Sequence, residues 1–408
     1  MPLFHRTRAS AALLAALALA APLQAQRPAD RAGALVVRAE NPLAADRPDE
    51  TISLPWAALR QAHPGLQADR VRVLDAGTRT EVVSQPLDAD GDGTVDELLF
   101  QTGFRPGEVR EFVVEAAPSA PAKPRVHARH DAHRDDVAWE SDRIAFRIYG
   151  QGLWQASEYQ PLVSSGIDVW PKRVRDLVVE RWYAKGHDAY HLDTGEGADF
   201  YTVGPTLGAG GSAVWRGGEL HRAKNFRSHR ILATGPIRAV FELRYDPWDA
   251  AGMQVSETKR VSIDAGQNFF RQEITYHAPG AAEVPYAVGT VKREGLVGSS
   301  RQEAPWAWVS TWGPVERKNG GHGHLGTAVL MEKGRMAEAR ETADHYLALA
   351  TARPGVPTVQ YVGSGWTASG DFRTVEDWWR HVDAFGARLA NPVKVTLLRN
   401  GAPLAAGR

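Results

Sequence analysis

The densest concentration of groups able to do chemistry lies between Tyr149 and Asp264. Trp170-Pro171-Lys172-Arg173, Trp182-Tyr183, His187-Asp188-Ala189-Tyr190-His191-Leu192-Asp193 and Gly195-Glu196-Gly197-Ala198-Asp199-Phe200-Tyr201 crowd imidazoles, phenols, carboxylates and cations together. A histidine between Tyr190 and an acidic, glycine-rich loop has little core to fill, and imidazole is the side chain best matched to proton transfer near neutrality. From Val255 to Ile263, strand alternation puts Glu257 and Lys259 on the same face as Val255, Val261 and Ile263. Charges on an otherwise apolar face need a partner. If the face lines a groove they are site residues; if a second sheet covers it they are a buried ion pair. Alternation alone leaves both open.

Other motifs carry less. Asp88-Ala89-Asp90-Gly91-Asp92-Gly93-Thr94-Val95-Asp96 puts carboxylates at loop positions 1, 3, 5 and 9 with glycine at 6, the spacing that converges oxygens on calcium. Position 12 is Leu99, so Asp88, Asp90, Asp92 and Asp96 form either a structural calcium loop or an acidic hairpin turn. Gly208-Ala209-Gly210-Gly211-Ser212-Ala213 has the letters of a dinucleotide fingerprint, but Pro205 interrupts its lead-in and Trp215-Arg216-Gly217-Gly218 stands where a helix is required. Nucleophile-elbow, phosphate-loop and HExxH motifs are missing. His127, His130 and His133 fall in a stretch that reads as a solvated spacer. His322 and His324, flanked by glycines, read as a loop, with paired metal ligands as the alternative, and His345 is equally a strand-end residue or an acid.

The elements that must position these groups are strands. Apolar alternation or short apolar runs occur at Ala34–Arg38, Val71–Leu74, Glu81–Gln85, Glu97–Gln101, Glu111–Val114, Ile144–Tyr149, Ile231–Leu232, Ile237–Tyr245, Val255–Ile263, Phe269–Tyr276, Leu325–Glu332, Tyr346–Thr351 and Lys394–Arg399. One convincing helix spans Val375–Leu389, with Thr374 as N-cap and Glu376 and Asp377 in its first turn. This balance predicts an all-β chain of packed sheets. Residues 1–25 read as a signal peptide: Arg6 and Arg8, an apolar run from Ala11 to Ala21 too short to cross a bilayer, and cleavage after Ala25. Export to the periplasm or the medium follows, with no lipid anchor. The remaining chain divides into a small β-sandwich (26–116), a Pro- and charge-rich linker (117–136) and a large β domain (137–405). With 48 basic and 48 acidic residues the chain is formally neutral, which argues against nucleic acid and membrane partners. The absence of cysteine excludes disulfides, thiolate nucleophiles and cysteine-bound zinc.

Five segments together resemble a bacterial domain-of-unknown-function family of the galactose-mutarotase-like clan: Gly166–Arg173, Tyr190–Gly197, Asp199–Ser212, Ser256–Arg260 and Tyr361–Trp366. That family occurs in polysaccharide-utilisation loci and includes an ulvan oligosaccharide dehydratase. The resemblance implies a β-supersandwich fold with few helices and an exported lyase that removes water from a terminal uronate of an acidic oligosaccharide. Such a reaction strips a weakly acidic proton alpha to a carboxylate, so the site must quench that carboxylate and supply a base and an acid. On this reading Tyr190, His191 and Tyr201 are the proton-transfer groups. Lys172 and Arg173 clamp the carboxylate, Trp182 and Trp366 stack on sugar rings, and Lys224, Lys259 and Arg293 add positive charge. No catalytic cofactor is expected. Two alternatives stand beside it: a glycoside hydrolase using paired carboxylates such as Glu196 and Glu257, and a non-catalytic sugar-binding or epimerising protein.

Overall fold

The computed structural model describes residues 34–155, 161–315 and 323–404; the expected signal peptide and His322 lie outside them. Strands dominate, as the sequence predicts, and all named pairings are antiparallel. A six-stranded sheet built around Leu35–Glu40 and Val109–Glu115 packs with a three-stranded sheet of Arg47–Pro55, Glu97–Phe104 and Ser84–Leu87. Leu35, Val37, Ile52, Leu54, Phe100 and Phe112 form the core between them.

The domain limits differ from the expected ones at both ends of the large domain. Lys394–Arg399 pairs with Leu35–Glu40 and extends the N-terminal sheet, so the small sandwich is completed by the far end of the chain. The expected linker contains the strand Val126–Asp131, which pairs with Asp136–Ser141. Low hydrophobicity hid it because only Val126 and Ala128 face the core, while the histidines are tied at its margin: His127 to Glu180 at 3.0 Å and His130 to Asp135 at 2.8 Å.

The main core is enclosed by three sheets. A four-stranded sheet runs Asp168–Pro171, Ile144–Tyr149, Asp136–Ser141, Val126–Asp131. A five-stranded sheet centres on Ala209–Arg216, Val284–Val291 and His345–Ala352, and a nine-stranded sheet on Met253–Asp264, Phe269–His277 and Thr358–Trp366. The helix Val375–Ala390 opens with a capping box at Thr374 and Asp377 and lays Trp378, Val382 and Phe385 over Phe269, Trp308 and Leu330. Three short helices were not foreseen: Trp56–Ala62, Val179–Ala184 and His187–Tyr190. Each is under eight residues, too short for a 3.6-residue repeat to stand out.

The structure settles which side of Met253–Asp264 meets the core. Val255, Glu257, Lys259, Val261 and Ile263 are all buried, in strict alternation. The five-stranded sheet reaches this face, with Ser212 Oγ donating to Glu257 Oε2 at 3.2 Å, and Lys259 Nζ lies 3.1 Å from Glu257 Oε1 and over the Tyr245 ring. Glu257 and Lys259 are therefore a structural ion pair inside the sandwich, not site residues. Lys259→Met strands a buried carboxylate and should cost about 3–5 kcal/mol in urea unfolding, whereas the double variant Glu257→Gln/Lys259→Met should recover much of that loss.

Candidate active site

The geometry of the site starts from the turn between Val126–Asp131 and Asp136–Ser141, which carries Arg134, and from the strand Ile144–Tyr149, which carries Arg147. Arg147 is buried at the centre of a shell of carboxyl and phenol groups. Its guanidinium pairs with Asp168 at 2.9 Å and Asp199 at 3.2 Å, lies 3.9 Å from Asp136, and donates to the Tyr190 hydroxyl at 3.0 Å. Tyr149 Oη and Trp170 Nε1 also donate to Asp168. Burial opposes the charge on Arg147, but the surrounding Tyr and Asp groups outweigh it and hold its pKa well above the usual value. Burial pushes the carboxyls up: Asp136 to about 6, with Arg147 opposing, and Asp199 well above the ordinary range.

The second wall comes from the short helix His187–Tyr190 and the loop after it. Gly197 is required here: its φ is 102°, and a Cβ would lie 2.1 Å from the Pro171 carbonyl oxygen. Asp193 ties this loop by accepting from Gly195 N, Gly197 N and Arg173 Nε. The chain then returns so that Asp199 N donates to the Tyr190 carbonyl and the Asp199 carbonyl accepts from His191 Nδ1 at 3.0 Å. A carbonyl oxygen only accepts, so Nδ1 carries the proton and Nε2 keeps its lone pair. Burial lowers His191 to about 4, with the Asp199 carbonyl opposing, and the ring is neutral at neutral pH.

These walls enclose a cavity of about 890 Å³ lined by Arg134, Arg147, Tyr190, His191, Asp199 and Tyr201, among others. Arg134 is buried and stacks against Tyr183 and Tyr190, each 5.2 Å from its guanidinium carbon. Among the described residues no carboxylate pairs with it, and its Nε has no hydrogen-bond partner. A desolvated guanidinium in that condition is a ready receptor for an anionic ligand.

The cavity thus unites three of the predicted residues, Tyr190, His191 and Tyr201. Arg293 stacks behind Tyr201 at 4.7 Å and lines a small adjoining recess. The other predicted residues stand apart from this cavity. Lys172 is enclosed, with Nζ donating to Glu140 at 2.8 Å and to the Ser141 carbonyl at 2.7 Å, so it cannot clamp a substrate. Arg173 is held by Asp193 and lies over Trp366. Trp182 and Trp366 are core residues, 2% and 1% exposed, packed on Trp170 and Phe200, and offer no platform to a sugar. Lys224 faces a separate pocket. His345 is the strand-end residue, its Nε2 accepting from Leu207 N.

Glu196, paired with Arg181 and Lys185 and accepting from Trp182 Nε1, is held at about 2 although burial alone would raise it; it cannot serve as a general acid beside the interior Glu257. In the acidic loop, Asp88, Asp90 and Asp96 bring one oxygen each within 4.8 Å of one another, while Asp92 stands outside that group and accepts from Thr94 N.

The sequence reading missed Arg134, Arg147, Asp136, Asp168 and Asp199 as members of the candidate site. Arg134 fell inside the expected linker. Arg147 was legible: it shares a strand face with Ala145 and Tyr149, the same signal that singled out Glu257 and Lys259.

A family model described as a domain of unknown function, DUF4861, matches residues 39–395. The chain belongs to the DUF4861 family. It is 32% identical over 379 residues to a protein of Formosa agariphila called uncharacterized protein P7, an alignment covering 89% of this chain and 93% of that one. The fold is similar to that of an α-mannosidase from Enterococcus faecalis V583, with a TM-score of 0.50 and 10% identity over 92% of this chain; the DUF4861 chain spans 47% of the mannosidase.

Since His191 has a folded pKa below its ordinary 6.5, the unfolded state binds that proton more readily, and this group makes stability rise with pH between about 4 and 6.5. Comparing wild type with His191→Gln in denaturant unfolding should show a shallower pH slope in the variant over that window. An NMR titration should find the imidazole ionising near 4.

Proposed function

We propose that the protein is an exported carbohydrate-active lyase that dehydrates a terminal uronate of an acidic oligosaccharide, leaving a 4,5-unsaturated sugar. The observation that carries this reading is the buried, carboxylate-free guanidinium of Arg134, linked through Tyr190 to a neutral His191 in one sugar-sized cavity. A carbohydrate substrate is in keeping with the fold likeness to a mannosidase, although one fold hosts many chemistries.

In the proposed reaction Arg134 pairs with the uronate carboxylate and offsets the charge that builds up as the alpha proton leaves. His191 Nε2 takes that proton from C5. The C5–H electrons form the C4–C5 double bond as the C4–O bond breaks. Tyr190, whose oxygen accepts from Arg147, donates its proton to the departing hydroxyl, which leaves as water. The resulting phenolate is stabilised by Arg147 and regains a proton from the His191 imidazolium, so the site is restored with one water lost. Tyr201 and Phe200 wall the cavity.

Uronate-ended oligosaccharides incubated with the protein should lose one water by mass spectrometry and gain the ultraviolet absorbance of a conjugated enol-ether carboxylate. His191→Ala should lower kcat by about 10²–10⁴-fold, and Arg134→Gln should raise KM and lower kcat together. A gain of water would favour hydrolysis, and affinity without a mass change would favour a binding or epimerising protein; either result overturns the dehydratase reading.

We also propose a structural calcium ion at Asp88, Asp90 and Asp96. Calcium at 100 times its Kd should stabilise the fold by about 2.7 kcal/mol, reversed by chelator, and Asp88→Asn should abolish the shift in a thermal scan.

A further inference from the structure

Beside the main cavity lies a second pocket of about 220 Å³, and Val163 and Pro205 line both. Its other lining residues include Ser165, Arg222 and Lys224. Arg222 and Lys224 both expose their side chains, and neither pairs with a carboxylate among the described residues; Asp344 is the acid whose charge reaches Arg222. Lys224 Nζ is instead 5.6 Å from the centre of the Trp154 ring. Ser165 is 1% exposed, yet its Oγ has no hydrogen-bond partner, whereas the neighbouring Ser164 Oγ accepts from Gly166 N. A buried hydroxyl without a partner is destabilising, and a ligand that accepts its proton removes that penalty. Apolar Leu220 and Ala223 complete a wall suited to a sugar ring carrying the charge.

We infer that this pocket is a subsite for an anionic substituent, a sulfate ester or a carboxylate, on the sugar next to the one that reacts. Two cations and one hydroxyl donor match the several acceptor oxygens of such a group. The shared Val163–Pro205 wall places it where the neighbouring residue of an oligosaccharide emerges from the main cavity. This assignment rests on the proposed carbohydrate substrate and makes the protein selective for chains with consecutive charged sugars.

The test uses the full-length protein with three uronate-ended disaccharides whose second sugar is unsubstituted, sulfated or a uronate. Binding is followed by calorimetry and turnover by mass. Wild type should bind one or both charged disaccharides more tightly than the neutral one, and the two charged arms identify which anion the pocket takes. Arg222→Gln and Lys224→Gln should each weaken the preferred charged ligand roughly tenfold, and Ser165→Ala by several-fold. The neutral ligand should shift by less than about twofold, since no anion–cation contact is lost. Equal affinity for neutral and charged ligands, or equal losses on both in the variants, overturns the subsite. Calorimetry reads the preference even if no water is lost, so failure of the dehydratase reading and failure of the subsite give different results.

Discussion

The candidate site depends on one buried guanidinium. Arg147 holds Asp168, Asp199 and the Tyr190 hydroxyl together, and through them it joins the four-stranded sheet to the loop that carries His191. Removing such a charge from water is costly, and the cost is offset only because nearly every donor direction meets an acceptor. Three carboxyls around one guanidinium cannot all ionise easily, and burial raises Asp136, Asp168 and Asp199. The wall is therefore less negative than its composition suggests, which makes room for an anionic ligand at Arg134.

The same cost recurs elsewhere in the molecule and is met in different ways. Lys172 is consumed by Glu140, which also accepts from the backbone N–H groups of Val178 and Val179. Glu257 and Lys259 offset each other's charge as an ion pair between two sheets. These pairs organise the interior and leave no charge to spare. Arg134 and Arg222 differ, because each lines a cavity without an acid at pairing distance among the described residues. What sets these two proposed ligand-binding cations apart from the structural ones in this fold is the lack of an internal partner, a property of tertiary placement.

Sequence patterns made much of the architecture legible. Strand alternation, the Thr374 cap and the crowding near His191 all correspond to features of the structure. Residue types failed where burial decides. Lys172 and Arg173 are adjacent cations after a proline, and nothing local reveals that one turns inward to Glu140 while the other meets Asp193. Trp182 and Trp366 show the same limit, since an indole that stacks on a sugar and one that fills a core are written alike. Arg134 was concealed by a neighbourhood rich in histidine, arginine and aspartate, where side chains of Val126–Asp131 spend their charges on one another and on Glu180.

The strand Lys394–Arg399 lies in register against Leu35–Glu40, the first strand described. The neighbour that borders the first sheet on this side is thus drawn from a segment hundreds of residues further along the sequence. Without it Leu35–Glu40 would offer one unpaired edge, held on its other side by Val109–Glu115 alone. Docking of Lys394–Arg399 seals that border, and a molecule in which this strand is displaced presents a sticky edge to any neighbouring chain.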